Sequence, residues 1–395
     1  MSAGQVASRA GELERRYLSG TFAELCRIES PSGRERACAD RVIAELAALD
    51  VPVREDGSGA LVGSDCGNLH AYVPAGSGGE DAPVQDRRPS LLLCAHLDTV
   101  PLQAPVEPVL LDGYWENAND GILGADNKAA IAVILTLARH VRRAGGPVDL
   151  ELLFTVGEEV ALAGARAFDA SSLTSEFGYV FDHASPIGEV ITSSPSHFRL
   201  DVAFHGVAAH AGIRPEDGRS AIRAAARAIA SMPHGRLDEQ TTVNVGTISG
   251  GTAMNVVPER CTFVAEVRSL DDERARSVTA EVVDRVHEAA NRPECDVDVD
   301  VTVERTFGGY RLSGSRPAVR VAEAALSARG HEPVRVASGG ASDANALIAQ
   351  GFEMVNLANQ TERNHEPGER VSVLALEEML EVAFALLDQT AALSR

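Results

Sequence analysis

The stretch Ser90–Val100, SLLLCAHLDTV, decides the fold. Leu91 to Cys94 run apolar without polar alternation, the mark of a strand covered on both faces, as in a parallel sheet flanked by helices. The run ends in His96-Leu97-Asp98. A buried strand thus delivers an imidazole and a carboxylate to its C-terminal edge, where open α/β sheets bind ligands. Side chains two residues apart share a face of an extended chain. One of the pair can therefore bind a metal ion while the other takes the second imidazole N–H and fixes tautomer and ring angle.

Four further segments extend the pattern. In GILGADNKAAIAVILTLARHV, Asp126 falls in a tight turn opening a helix whose apolar face carries Ile131, Ile134, Leu135 and Ala138. A carboxylate at such a turn can bridge two ions through its two oxygens. DLELLFTVGEEV reads as a strand ending in Glu158 and Glu159, whose side chains diverge, so that one can ligate a metal while the other faces an attacking water. FGYVFDH is a fourth strand, ending with Asp182, and His365 sits in the polar loop ERNHEPGER. Singly, each has a commoner role: a structural histidine, a solvated helix start for paired glutamates, a helix cap for an aspartate. Four strand-to-loop junctions carrying His or carboxylate together reverse that reading, and imply a two-metal hydrolase.

The chain resembles the co-catalytic zinc peptidases that include peptidase T, the glutamate carboxypeptidases and the aminoacylases. AHLDTV is similar to the family's metal-binding HxD, GADNKA to its bridging-aspartate turn, TVGEE to its base-plus-ligand pair and VFDH to its fourth ligand segment. The resemblance implies that His96 and Asp182 hold one zinc ion, Glu159 and His365 the other, and that Asp126 bridges them. Asp98 would orient the site, and Glu158 would be the general base. Cobalt or manganese would also suit such ligands. SGGASDAN, and GVAAHAG followed by a helix, look most like the peptidase T branch, although Ser338 stands where peptidase T has an arginine. By the same resemblance His210 reaches the scissile carbonyl from a partner subunit, and Asn255 in MNVVPE with Arg268 in AEVRS grips a substrate carboxylate.

With 395 residues, 45% of them hydrophobic, the chain is long enough for two domains and a sizeable core. Its 36 basic against 57 acidic residues give a net charge of −21, which repels phosphate backbones and anionic membranes. A nucleic-acid or membrane role is disfavoured. The six cysteines lack CxxC spacing and read as reduced thiols. MSAGQVASRAGELERRY has no apolar leader core, and no apolar run reaches the ~18 residues of a membrane span, so a cytoplasmic location is expected. Lys128 is the only lysine; it belongs to the Asp126 turn and is given a structural or local electrostatic role.

The order of elements predicts one domain interrupted by another. Helices Arg34–Leu49 and Asn127–Arg143 alternate with strands in an α/β pattern, and a Gly/Pro/Asp-rich loop, AGSGGEDAPVQDRRP, is expected to be exposed. From FRLDVAFHG onward a βαββαβ series follows: strand Phe198–Phe204, helix Gly218–Ser231, strands Thr241–Ile248 and Cys261–Arg268, helix Glu273–Ala290, strand Val297–Thr306. The α/β pattern resumes with helix Arg316–Arg329 and ends in helix Leu374–Leu387. The expected fold is thus α/β: a catalytic domain with a mixed, mainly parallel sheet over residues 1–193 and 307–395, and an inserted α+β lid and dimerisation domain over 194–306.

The expected activity is hydrolysis of a peptide or related amide bond in a small substrate with a free carboxylate, by a homodimer. An N-acyl amino acid deacylase or biosynthetic amidase would use the same ligands and base. A non-catalytic dimeric binding protein would have no need of Glu158 beside two ions. No nucleophile elbow competes, since GTISGG and SGGAS lack GxSxG spacing.

Overall fold

A computed structural model of the chain describes residues 9–75 and 88–393. The loop expected to be exposed before the first catalytic strand falls mostly on residues 76–87, outside the described residues. The chain divides into two compact units. The first runs to Thr192 and takes in Leu312–Ala337 and the chain from Ser342; the second comprises Ser193–Arg311 and Ser338–Ala341.

In the first unit the strands Asp149–Thr155, Ser90–His96, Phe177–His183 and Glu353–Ala358 lie side by side and parallel. Antiparallel strands flank them, Leu69–Val73 on one side and Glu189–Ser194 on the other. The mixed, mainly parallel sheet expected from the sequence is therefore present. Every residue of Asp149–Thr155, and all but the first of Ser90–His96, is buried. Helices cover both faces, and the polar residues within the run, Asp149 and Glu151, are buried and hydrogen-bonded. Each fully buried leucine in these strands contributes roughly 1.5–3 kcal/mol. Register adds a demand at Gly178, which pairs directly with Leu92. A Cβ there would lie 2.7 Å from Leu92 Cβ and 2.9 Å from its carbonyl oxygen, so only glycine lets the strand bearing Asp182 pack against the strand bearing His96.

The helix Ala125–Ala144 departs from its expected one-sided burial: every residue from Ala125 to Ala138 is buried. Helices Glu12–Cys26 and Val373–Leu393 cover the side that an amphipathic helix would leave wet. Thr136, the one hydroxyl within that apolar run, returns its proton to Ala132 O at 2.7 Å.

A second, smaller sheet was not anticipated. It orders Thr361–Glu362, Arg370–Ser372, Tyr114–Asn117 and Pro108–Leu111, all antiparallel. His365 lies in the hairpin loop joining its first two strands.

The second unit has the expected βαββαβ series: Ser196–His205, Ala221–Ser231, Thr241–Gly250, Arg260–Ser269, Asp272–Ala290 and Asp298–Phe307. Its antiparallel sheet runs in the order Thr241–Gly250, Arg260–Ser269, Ser196–His205, Asp298–Phe307, the split arrangement of that motif. Ser220 and Asp271 cap its helices through their side-chain oxygens. All six cysteines are free and buried. No helix among the described residues is long and apolar enough to cross a membrane.

Candidate metal centre

The ends of strands Ser90–His96 and Phe177–His183, the loop after Asp149–Thr155, the turn at Asp126 and the hairpin loop of the small sheet bring the predicted ligands together. His96, 1% exposed, turns Nδ1 toward Asp98 O at 3.0 Å, which leaves Nε2 facing the carboxylates. That nitrogen lies 3.2 Å from Asp126 Oδ1 and 3.9 Å from Asp182 Oδ1. The other oxygen of Asp126, Oδ2, is 3.3 Å from His365 Nε2, and His365 Nε2 is 2.9 Å from Glu159 Oε1. Asp126 thus stands between two histidines, one oxygen toward each. Donor atoms of His96, Asp126 and Glu159 all lie within 4.8 Å of one another, as do those of His96, Glu158 and Asp182.

Asp98 differs from its expected part. The imidazole N–H is taken at closer range by its backbone carbonyl than by its carboxylate, 3.0 against 3.4 Å. The carboxylate accepts the N–H groups of Glu158 at 3.0 Å and Glu159 at 3.1 Å, with Ser32 Oγ at 2.7 Å. It orients the base loop. The strand also stops earlier than expected, at Thr155, and the glutamates sit in the loop beyond Gly157, whose φ is +60°. That loop needs outside support, and Glu35 adds it: its Oε1 accepts Gly157 N–H at 3.1 Å. Asn356 secures Asp182 from both sides, accepting its N–H at 3.0 Å and donating to its carbonyl at 2.9 Å.

Three further residues, Glu369 and Asp343 buried and Asn364 half-buried, were not singled out from the sequence. Glu369 accepts three backbone N–H groups of the Asp126 turn, and burial together with the charge of Asp126 raises its carboxyl to about 7. Asn364 donates to Asp126 Oδ2 at 2.9 Å. Asp343 lies beside the site, taking the Thr155 hydroxyl at 2.5 Å, and burial raises it to about 6. Lys128, by contrast, behaves as expected of a structural residue: it is 2% exposed and its ammonium donates to Ile28 O. His183 belongs to neither donor group.

The electrostatics ask for cations. Burial, then the charge of Asp182, pushes Glu158 well above the usual carboxylate range, and burial with the charge of Asp126 does the same to Asp182. Asp126 is held low, because hydrogen bonds from His365 and His96 outweigh its burial. Glu159 Oε1 is buried and, although near His365 Nε2, has no hydrogen-bond geometry with it. Two lone pairs converging in this way fit a shared cation. An all His and carboxylate donor set suits zinc, cobalt or manganese.

The second unit carries the other three candidates, two of them side by side. His210 and Asn255 are exposed on adjoining turns, Ala211 N–H donating to Asn255 O at 3.0 Å. Arg268 is not a free fork: Nη2 and Nε bond to Glu266 at 3.1 and 3.3 Å, and Nη1 reaches Gly339 O at 3.3 Å. Glu266, which the sequence reading passed over, is lowered to about 2 by His197 first and Arg268 next.

Comparison with known proteins agrees in both units. The model of the peptidase dimerisation domain matches residues 193–293, and that of peptidase family M28 matches residues 80–186. The chain is 32% identical over 379 residues to the uncharacterized protein YqjE of Bacillus subtilis, covering 96% of this chain and 99% of that one. Among solved structures it is similar to the aminopeptidase PepT of Bacillus cereus, with a TM-score of 0.83 at 32% identity over 95% of this chain and 99% of that one. A tripeptidase of Staphylococcus aureus gives a TM-score of 0.87 at 29% identity, covering 96% and 99%.

Proposed function

Because this chain belongs to the metallopeptidase family that carries the peptidase dimerisation domain, in its peptidase T-like branch, we propose that it cleaves amide bonds of small peptides with a free carboxylate, using two zinc ions. The observation that carries the reading is Asp126, one carboxylate oxygen toward each histidine, with Glu158 in the adjoining donor group. His96 and Asp182 would hold one ion, Glu159 and His365 the other, with Asp126 between. Bound there, two divalent ions polarise the scissile carbonyl and lower the pKa of the attacking water toward ~7.

The chain's own groups do the rest. Glu158 takes the proton of the attacking water and returns it to the leaving nitrogen. Asp98 keeps the base in place by holding the Glu158 and Glu159 amides. His210 donates to the developing oxyanion, a contribution of ~3 kcal/mol for one donor. Asn255 and Arg268 bind the substrate carboxylate, with Glu266 holding the guanidinium plane in place. The match to a peptidase dimerisation domain supports a homodimer formed through the second unit.

Free-amine release from a panel of dipeptides, tripeptides and N-acetyl amino acids tests the proposal. The peptides should be cleaved, a chelator should abolish turnover, and zinc should restore it. Cleavage of the N-acetyl amino acids alone would make the enzyme a deacylase, and turnover indifferent to chelation would sink the metal mechanism. A second expectation concerns the carboxylate grip: Arg268→Ala should raise KM by ~10–100-fold, the scale of a lost charged hydrogen bond, with a smaller change in kcat. Capping the substrate as a C-terminal amide should raise the wild-type KM likewise. Equal KM for free-acid and amidated peptides would remove Arg268 from that role.

A further inference from the structure

Glu369 stands four residues beyond His365, on the same hairpin, and is 1% exposed. None of its hydrogen bonds goes to a candidate ligand's side chain. Oε2 accepts the N–H groups of Leu123 at 2.9 Å and Gly124 at 2.7 Å, and Oε1 accepts that of Asp126 at 2.9 Å. These are amides of the turn Leu123–Asp126, where the backbone of Asp126 and Asn127 is non-helical and the regular helix begins only beyond them, so the carboxylate satisfies N–H groups that no helical bond takes up.

Both partners of this contact turn through left-handed backbone. In the hairpin, Arg363 and His365 adopt φ of +59° and +68°, a region unfavourable for residues with a Cβ. In the turn, Gly124 has φ +78°, and a Cβ there would lie 3.3 Å from Thr99 Cγ2. One segment carries the bridging carboxylate and the other a terminal imidazole, each at a turn rather than within a regular element. Their separation therefore depends on what ties them together. Asn364 adds one bond to Asp126 Oδ2 at 2.9 Å, and Glu369 adds three.

We propose that Glu369 is a positioning residue for the metal centre, a buried carboxylate that holds the Asp126 turn and the His365 hairpin at the spacing two bound ions require. The proposal rests on the two-metal reading above. It concerns neither metal ligation nor proton transfer by Glu369, whose oxygens are occupied by backbone.

Glu369→Gln is the test, because the amide keeps the shape but sets an NH₂ donor against a backbone N–H. Apo protein of the variant should retain the wild-type far-UV circular dichroism. In chelator competition its affinity for zinc should fall by ~10–100-fold, the usual cost of losing an outer partner of a ligand. The visible spectrum of the cobalt-substituted variant should change, reporting altered ligand geometry, and kcat should fall while KM stays within about threefold of wild type. Glu369→Asp, which keeps the charge but shortens the reach, should lie between. Wild-type protein that binds no divalent ion would sink the two-metal reading itself. Wild-type protein with two ions, beside a Glu369→Gln variant of equal affinity and identical cobalt spectrum, would overturn only the role of Glu369. Failure of both variants to fold would also overturn it, by assigning the residue to the fold rather than to the site.

Discussion

Glu158→Gln is expected to keep both ions and lose ~10²–10⁴ of kcat, the range associated with a general base. The glutamine has nearly the shape of the glutamate, and the bond from its backbone N–H to Asp98 Oδ1 is unaffected, so the loop should not move. What disappears is the one acceptor free to take a proton. Glu158 is buried beside His96 and Asp182, and burial with the Asp182 charge holds its carboxyl above the ordinary range. A base of raised pKa is a better proton acceptor at neutral pH. Glu159→Gln should behave differently: with Oε1 converging on His365 Nε2, its loss should lower the affinity for one ion along with turnover. Metal counts after dialysis, set beside kcat, separate the two cases. A Glu158→Gln protein lacking one ion, paired with a fully loaded but inactive Glu159→Gln, would mean that the two roles are reversed.

The part of this site that the sequence discloses is the part carried on long, buried elements. Leu91–Cys94 and Leu152–Phe154 are covered on both faces, so their apolar runs are continuous and their ends legible as junctions. The βαββαβ unit was legible for the complementary reason: strands such as Ser196–His205 alternate buried with less buried positions and have ten residues over which to show it. The small sheet was not. Its strands have two to four residues, too few to display a period, and Tyr114–Asn117 pairs with Arg370–Ser372 across most of the chain. His365 therefore could be placed at the site only by resemblance. The all-round burial of Ala125–Ala138 did leave a signal, since Ala129 to Ala138 contains no polar residue but Thr136.

Glu35 and Glu369 were missed on different grounds. Both accept backbone N–H groups, and a backbone amide has the same identity at every position, so nothing in the sequence names the partner. Glu266 hid in another way: on a strand it shares a face with Arg268, two residues on, a pairing as common on solvated surfaces as in sites. Ligands announce themselves by residue type and context. The groups that aim them announce themselves only once the chain is folded.

The bridging role proposed for Asp126 leads to the largest expected loss. Asp126→Ala should weaken both ions together and lower turnover by ~10³-fold or more, since forfeiting metal assistance costs several kcal/mol of transition-state stabilisation, and each ~1.4 kcal/mol is tenfold in rate. The geometry makes the effect joint: Oδ1 lies 3.2 Å from His96 Nε2 and Oδ2 lies 3.3 Å from His365 Nε2, so a single truncation removes a donor from each position. Losing the carboxylate also removes an acid that His365 and His96 hold ionised. Asp182 and Glu158, both raised, would then face two histidines without it. Asp126→Asn separates charge from shape, because it keeps the backbone N–H to Glu369 Oε1 and one oxygen able to ligate. It should retain one ion more firmly than the other, where alanine favours neither. Metal analysis across a chelator titration reads both variants directly. If alanine lost a single ion and held the other at wild-type affinity, Asp126 would be a terminal ligand and the bridge would have to lie elsewhere; if it kept both, the centre would not be built around Asp126 at all.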